Sequence, residues 1–381
     1  MQNVNTKLLL IALFPLIIKG QTIESISELL SNKKEVIFRD DYDGLYLSRP
    51  LLLNDYIISH YSSKGLFKLT NDTSFLIRKK HTELISQNVL FDTKKRVIIK
   101  NLLSNKIILH KERENGFRIG YHTPNILTTN QIIFKDNRKI LKYININSDT
   151  VIWETVFPEV VYDFNDQLED ILLVNCKSKF YFIDKKSGKV LDSLMLGKLE
   201  KAYHLNSAIE IQGDYAYLWA EKNGVYCIDI KKRKVKWNGF KNTERARTTM
   251  TMVFEKDTLF FGLYPHIYAV NKFTGEVFWK SEEINIHTAY IIVLHPKWIF
   301  YYEHFDELNA NFLCTLNRAT GKLAYKGFTS EDFPPENANG DDSEAPLNEL
   351  DFYAISWIRK THGNLLIGTY LDKLYCFEIK E

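Results

Sequence analysis

The segment His266–Lys280 shows an alternation of apolar and polar residues that is repeated along most of the chain. Residues on either side of Tyr268 and Val270 alternate as they do in a strand with one buried face. A polar turn follows and ends in Gly275, a residue type that tolerates a positive φ. The apolar residues after the turn begin a return strand. The segment therefore predicts a β-hairpin.

The same hairpin pattern recurs at a nearly regular interval. Each copy can be aligned on the residue that ends its first strand, which is Asn or Asp in most copies. These residues are Thr70, Asn101, Asn145, Asp184, Asp229, Asn271, Asn317 and Glu378. Successive copies are 31, 44, 39, 45, 42, 46 and 61 residues apart. A period of roughly 40 to 45 residues built from hairpins is typical of a β-propeller with one four-stranded blade per repeat.

The repeat predicts an all-β fold, a single β-propeller of four-stranded antiparallel blades. Eight hairpins predict eight blades; seven is the alternative, because the 31-residue step leaves little room for four strands. The chain ends just after the last hairpin strand, so the last blade lacks its outer strand. We expect Val36–Phe38 to supply that strand and close the ring, since joining the termini removes an open sheet edge.

The turn and the strand after it carry a more specific pattern. It reads aromatic-small-apolar-Asp, a turn, then Thr/Ser-Gly-Lys-Val-apolar-Trp, and is clearest at 181–192, 226–237, 268–279 and 314–325. This pattern resembles the repeat of the PQQ-like (quinoprotein-type) β-propellers. The resemblance implies that the tryptophan docks between neighbouring blades. The tryptophan position holds Arg78, Leu109, Trp153, Asp192, Trp237, Trp279 and Tyr325 in successive copies.

The N-terminus has the features of an export signal. Lys7 precedes an apolar run, which is followed by Lys19 and Gly20. This arrangement predicts a signal peptide over residues 1–20, and an exported protein that is periplasmic, associated with the outer membrane or secreted. The run is short for a transmembrane helix, although an uncleaved membrane anchor is the alternative.

The remaining chain is expected to form one domain. Residues 21–34 are a lead-in with one or two helical turns, and residues 35–381 form the propeller. An insertion at 329–350 contains Pro334, Pro335 and seven Asp or Glu residues, which predicts a surface loop. The loop is a solvated excursion or, alternatively, a partner-docking or calcium-binding loop that uses Asp341, Asp342 and Glu344.

Charge gives no argument for nucleic-acid binding. Removal of residues 1–20 lowers the net charge from +3 to +1, because that segment contains two lysines and no acids. The basic run Lys231–Lys234 lies in a predicted hairpin turn, and we expect it to be solvated.

The four cysteines are expected to be free and buried. Equivalent positions in different blades lie too far apart for a disulfide, whose Cα atoms are about 4.4–6.8 Å apart. The four residues are Cys176, Cys227, Cys314 and Cys376.

No catalytic motif is recognisable. The chain lacks the nucleophile-elbow, zinc-protease and phosphate-loop patterns. His287, His295 and His304 form the tightest histidine group, and we expect strand-end or surface residues rather than metal ligands. The family that the repeat resembles includes quinone-dependent dehydrogenases, which carry two adjacent cysteines at the cofactor. This sequence has no adjacent cysteines. We therefore expect no catalytic, cofactor-binding or metal-ligating residues and no cofactor.

Two functional hypotheses follow. The family that the repeat resembles has a non-enzymatic branch, which includes the outer-membrane lipoprotein BamB, whose rim loops hold partner proteins; the chain departs from it by lacking a lipobox cysteine. The first hypothesis is an exported, monomeric, non-catalytic propeller that holds a protein partner through rim loops and has no transmembrane segment in its mature chain. The alternative is a propeller that binds a sugar or quinone in its channel, as a dehydrogenase-like enzyme would. Exposed apolar rim residues favour the first hypothesis, and carboxylates with Trp or Arg at the channel mouth favour the second.

Overall fold

In the computed structural model, every described element is a β-strand, and 32 strands lie between Leu30 and Ile379. Side chains are described for residues 131–136, 138–145, 148, 150–196, 209–220, 224–241, 252–263, 265–284, 292–301 and 313–325. Residues 1–20 and 329–350 lie outside the described residues, so the signal peptide and the acidic insertion stay predictions. Within the described ranges, no helix has the length and apolar character that a membrane crossing requires.

The described strands form eight four-stranded antiparallel sheets, which we number I to VIII along the chain. Sheet I contains β2 (Leu51–Leu53), β3 (Tyr56–Tyr61), β4 (Gly65–Leu69) and β5 (Ser74–Arg78). Sheet II contains β6 (Thr82–Ile85), β7 (Asn88–Thr93), β8 (Arg96–Asn101) and β9 (Ile107–Glu112). Sheet III contains β10 (Arg118–Ile119), β11 (Gln131–Asn137), β12 (Ile140–Asn145) and β13 (Thr150–Val156). Sheet IV contains β14 (Val161–Asn165), β15 (Ile171–Cys176), β16 (Lys179–Asp184) and β17 (Val190–Met195).

The same order of strands continues in the C-terminal half. Sheet V contains β18 (Glu210–Gln212), β19 (Tyr215–Ala220), β20 (Gly224–Asp229) and β21 (Lys234–Gly239). Sheet VI contains β22 (Val253–Glu255), β23 (Thr258–Leu263), β24 (His266–Asn271) and β25 (Val277–Lys280). Sheet VII contains β26 (Val293–Leu294), β27 (Trp298–Phe305), β28 (Ala310–Asn317) and β29 (Leu323–Lys326). Sheet VIII contains β30 (Ala354–Ile355), β31 (Leu365–Tyr370), β32 (Lys373–Ile379) and the N-terminal strand β1 (Leu30–Ile37).

The N-terminal strand lies beside the C-terminal one. β1 pairs antiparallel with β32, from Leu30 opposite Ile379 to Ile37 opposite Lys373. The predicted pairing of this segment is therefore present, although Phe38 lies outside the described residues. The strand begins at Leu30, so the helical expectation is wrong for residues 30–34. Pairing with β32 gives the backbone of this segment hydrogen-bond partners that its mixed local sequence did not reveal.

The short 31-residue step accommodates a complete sheet. Sheet II fits four strands between Thr82 and Glu112 because each strand has four to six residues. The hairpin predicted over His266–Lys280 is present as β24 and β25, which begin and end at the predicted residues.

A β-bulge occurs at the same place in the outer strand of sheets I to VII. In sheet III, Tyr143 pairs with Trp153 and Ile144 pairs with Val151, so Ile152 has no opposite residue. The equivalent shift is present in the other six sheets. It places Arg78, Leu109, Trp153, Asp192, Trp237, Trp279 and Tyr325 at equivalent positions. The alignment of the repeat made from sequence is thereby confirmed.

Burial shows which strands are central. β20 is buried at every residue, whereas β17 is exposed at every residue except Leu194. A strand buried on both sides requires a packed layer on each face of its sheet. Successive residues of a strand point to opposite faces of the sheet, so one strand contributes side chains to the packed layer on each face. In β23, for example, Phe260 and Phe261 belong to two different hydrophobic clusters.

Sheets III to VII pack face to face in chain order. The side chains described in these sheets form four hydrophobic clusters, and each combines residues of two successive sheets. The cluster between sheets IV and V, for example, contains Phe180 and Phe182 from β16 with Leu218 from β19 and Ile228 from β20. Each sheet is too small to bury its own apolar residues, so the stacking of neighbours forms the core.

Candidate functional site

Among the described side chains, three tryptophans connect the outer strand of one sheet to the next sheet. The indole N–H of Trp153 donates a hydrogen bond to the carbonyl oxygen of Lys185, with a donor–acceptor distance of 2.9 Å. Trp237 and Trp279 make the equivalent bonds to the carbonyl oxygens of Lys272 (2.9 Å) and Arg318 (3.0 Å). Each acceptor lies in the turn between the third and fourth strands of the next sheet. Docking of tryptophan between neighbouring blades, which the resemblance implied, is therefore present.

A glycine lies beneath each of these indole rings. Gly188, Gly275 and Gly321 have φ angles of 71°, 76° and 69°, a region that L side chains rarely adopt. A Cβ added to them would lie 2.6, 3.0 and 2.7 Å from the Cδ2 atoms of the docked rings. The turn requires glycine for its backbone conformation and for the close approach of the ring. We call this arrangement the tryptophan–glycine contact.

The residue that ends the third strand stabilises the turn in sheets IV, VI and VII. The Oδ1 atom of Asp184 accepts a hydrogen bond from the backbone N–H of Ser187 at 2.7 Å. Asn271 accepts one from Thr274 at 3.1 Å, and Asn317 accepts one from Thr320 at 3.2 Å. Asx-turns of this kind explain why Asn or Asp recurs at the position used to align the repeat.

The interface between sheets IV and V is built differently. Asp192 occupies the tryptophan position of β17 and is exposed. In the facing turn, Arg233 occupies the glycine position and has a φ of 51°. Both halves of the tryptophan–glycine contact are thus replaced together at this interface.

Exposed apolar residues are concentrated on outer strands. Among the described side chains, nine large hydrophobic residues are exposed, and all nine lie on β13, β17, β25 or β29. Six of them belong to the outer strands of the adjacent sheets III and IV. These six residues, which we call the outer apolar surface, are Val151, Ile152, Val156, Val190, Leu191 and Met195. Val156 and Met195 are the most exposed, at 65% and 67%.

The outer apolar surface also includes an unprotected sheet edge. β17 has the sequence VLDSLM, which contains one acidic residue and neither lysine nor proline. By contrast, β21 carries exposed Lys234 and Lys236, and lysines on an edge strand oppose pairing with other chains. β17 can therefore offer both apolar side chains and backbone hydrogen-bonding groups to a partner.

The described cysteines agree with the expectation. Cys176, Cys227 and Cys314 are buried thiols that form no disulfide among the described residues. Burial raises the pKa of the Cys176 thiol to about 12 and that of Cys227 to about 11, so neither is a reactive thiolate at neutral pH. The side chain of Cys376 lies outside the described residues.

The other candidate residues do not converge on a metal or phosphate site. His295 follows β26, as expected of a strand-end residue, but is buried beside Phe300, with 6.4 Å between the ring centroids. His287 and the side chain of His304 lie outside the described residues. No group of three or more His, Cys, Asp or Glu in the described ranges could hold a metal ion. In the basic turn, Lys231 pairs with Asp214 at 2.8 Å and Lys232 with Asp229 at 3.8 Å, so the turn is solvated as predicted.

Comparison with known proteins gives a fold but not a family. No protein-family model and no curated protein matches this sequence. The computationally designed Ika8 protein is similar in structure, with a TM-score of 0.58, 10% sequence identity, and coverage of 92% of this chain and all of that one. BamB from Moraxella catarrhalis is similar too, with a TM-score of 0.56, 12% identity and the same coverage. The chain therefore has an all-β architecture like that of the BamB propeller.

Proposed function

We propose that this protein is a non-catalytic β-propeller scaffold that holds a protein partner on the outer apolar surface. The observation that carries the proposal is the concentration of six exposed hydrophobic residues on the outer strands of two adjacent sheets. Groups of exposed apolar residues mark interaction sites, whereas single ones do not. The structural similarity to BamB supports a scaffold and is at the level of fold alone.

The outer apolar surface has the composition of a protein interface. Its apolar residues are interspersed with exposed polar ones, including Glu154, Asp192 and Ser193. An interface typically buries an apolar centre inside a polar rim. The sequence predicted contacts through rim loops, whereas the exposed apolar residues of the described chain lie on outer strands. We therefore place the partner on strands β13 and β17.

The architecture that we assign to the scaffold is an eight-bladed ring closed by its N-terminal strand. Eight four-stranded sheets and the pairing of β1 with β32 support this arrangement. Deletion of residues 31–40 should lower the thermal unfolding temperature of the whole domain, because it leaves the edge of β32 open. Unchanged thermal unfolding would contradict closure by β1.

Export is part of the same proposal. The basic and apolar pattern of residues 1–20 supports a cleaved signal peptide and a periplasmic, outer-membrane-associated or secreted location. N-terminal sequencing of the protein from its own cells should begin at Gln21. An intact Met1 would refute cleavage and favour the membrane-anchor alternative.

Affinity purification after mild crosslinking tests the scaffold role. The tagged protein should retain a stoichiometric protein partner, and the double variant L191E/M195E should lose it. The matched control is Val277→Glu, an exposed valine on an outer strand outside this surface. If the wild type and both variants retain the partner equally, the partner does not bind to the outer apolar surface. A wild-type protein without a partner would exclude the scaffold, and sugar and quinone binding with calcium would then test the channel alternative.

A further inference from the structure

A polar clamp holds sheets IV and V together at the end opposite their outer strands. Two side chains of β14 bind the backbone of Ile209, which immediately precedes β18. The Oδ2 atom of Asp163 accepts a hydrogen bond from the N–H of Ile209 at 3.0 Å, and Nδ2 of Asn165 donates to its carbonyl oxygen at 2.7 Å. Both side chains are buried. This interface combines the clamp with the absence of the tryptophan–glycine contact at Asp192.

The carboxyl group of the clamp is in an environment that disfavours its charge. Burial raises the pKa of Asp163 to about 7 from an ordinary value of 3.8, and Glu210 of β18 acts in the same direction. Opposing effects come from the backbone N–H groups of Ile209 and Phe164 and from Lys135 of β11. Desolvation exceeds these effects because the carboxyl lies fully inside the interface.

The residue opposite Asp163 can receive its proton. Asn175 pairs with Asp163 across β14 and β15. The Asn175 side chain is completely buried, and neither its Oδ1 nor its Nδ2 atom has a hydrogen-bond partner. Directly opposed residues of an antiparallel pair have Cβ atoms about 4.5–5.5 Å apart. A neutral Asp163 can therefore donate its proton to Oδ1 of Asn175 while its other oxygen keeps the bond to Ile209.

We propose that the interface between sheets IV and V is a proton-controlled joint, which is closed when Asp163 is neutral and opens more readily when Asp163 is ionised. At the described interfaces that have a tryptophan–glycine contact, the outer strand is held by an indole and a backbone carbonyl, and neither group titrates. Sheet IV also carries β17, so opening alters the edge beside which we place the partner. The joint itself is independent of that partner and of the scaffold role.

The sign of the pH effect follows from proton linkage. In the open joint, water reaches Asp163 and its pKa returns towards 3.8, whereas in the closed joint it is about 7. Closing therefore binds a proton between these pH values. The closed state is most favoured at low pH, and this advantage is lost as the pH rises towards 7. The opening equilibrium constant should rise by up to about 1000-fold across this range.

Hydrogen exchange measured on the intact protein between pH 5 and 8 tests the joint. After correction for the intrinsic pH dependence of exchange, peptides covering 190–196 and 209–220 should open more at pH 8 by tenfold or more. Peptides covering 150–156 and 277–280 should change less. Equal pH dependence of all four peptides would overturn the proposal.

Two carboxyl variants assign the effect to one group. Asp163→Asn keeps an acceptor for Ile209 and is neutral at every pH, so its exchange at 190–220 should not change with pH. The control is Asp166→Asn, because burial also raises the pKa of Asp166 to about 7. This control should keep the pH dependence of the joint. Persistence of the dependence in D163N, or its loss in D166N alone, would refute the assignment.

Restoring the missing contact provides a test that does not alter the clamp. The double variant D192W/R233G introduces a tryptophan opposite a glycine, as in the neighbouring interfaces. Opening at pH 8 should fall by tenfold or more in the double variant, and by less in either single variant, because each partner requires the other. Unchanged or faster exchange in the double variant would show that the missing tryptophan–glycine contact does not determine how readily the joint opens.

Discussion

The tryptophan–glycine contact predicts a large cost for adding one methyl group at Gly321. Substitution of Gly321 by alanine places a Cβ 2.7 Å from Cδ2 of Trp279, well inside van der Waals contact. The φ of 69° adds a second cost, because an L side chain is strained in this region. We expect about 1–2 kcal/mol from the backbone conformation and about 1–3 kcal/mol from overpacking.

Gly213 is a matched control that separates these two costs. Its φ is 60°, and an added Cβ would meet nothing within 4 Å. Gly213→Ala therefore has the backbone cost without the overpacking cost. Both substitutions reduce the entropy of the unfolded chain equally, so this effect cancels in the comparison. Gly321→Ala should be more destabilising than Gly213→Ala by about 1–3 kcal/mol.

Urea unfolding followed by far-ultraviolet circular dichroism measures both free energies of unfolding. The variants should have the same dependence on urea concentration and different midpoints. In a Trp279→Ala background, Gly321→Ala should cost no more than Gly213→Ala, because the ring that the new Cβ meets is gone. Equal costs at both glycines, or a cost at Gly321 that is unaffected by removal of the ring, would refute the contact as the origin.

Three further predictions concern other groups. Trp237→Phe keeps an aromatic ring but removes the N–H bond to the carbonyl of Lys272, so urea unfolding should show a loss of about 0.5–1.5 kcal/mol; no loss would mean that the ring alone holds the interface. The wild-type free energy of unfolding should fall by up to roughly 4 kcal/mol relative to Asp163→Asn as the pH rises from 4 to 7, because the folded protein binds the extra proton; parallel pH profiles would contradict this. Thiol titration without reductant should find the described cysteines unreactive in the folded protein and reactive after denaturation, and a shortfall after denaturation would reveal a disulfide. These cysteines are Cys176, Cys227 and Cys314.

The hairpin repeat was predictable because its determinants are local. Alternation of apolar residues gives a strand, and an Asn or Asp followed by Ser or Thr and Gly gives its turn. The tryptophan positions could be aligned for the same reason, since each lies a fixed number of residues after its turn. The register of the sheets confirms that alignment, including Asp192 as a departure from it.

The polar clamp could not be predicted from the sequence. Asp163 and Asn165 lie more than forty residues before Ile209, and no local pattern connects them. Nothing in the local sequence distinguishes Asn175 from other strand residues, and only the strand pairing shows that it lies opposite Asp163. Their shared environment exists only because two sheets pack together and exclude water from both side chains.

Exposure of the outer strands was decided by the tertiary structure as well. Val190 and Leu191 begin a strand with four apolar residues, a composition typical of buried strands, yet β17, the last strand of sheet IV, is exposed at every residue except Leu194. The sequence by itself determined the strands, their turns and the positions of the tryptophans, because each depends on residues close together in the chain. Only the tertiary structure decided which apolar residues face solvent and which carboxyl is desolvated, because both depend on where one sheet ends and the next begins.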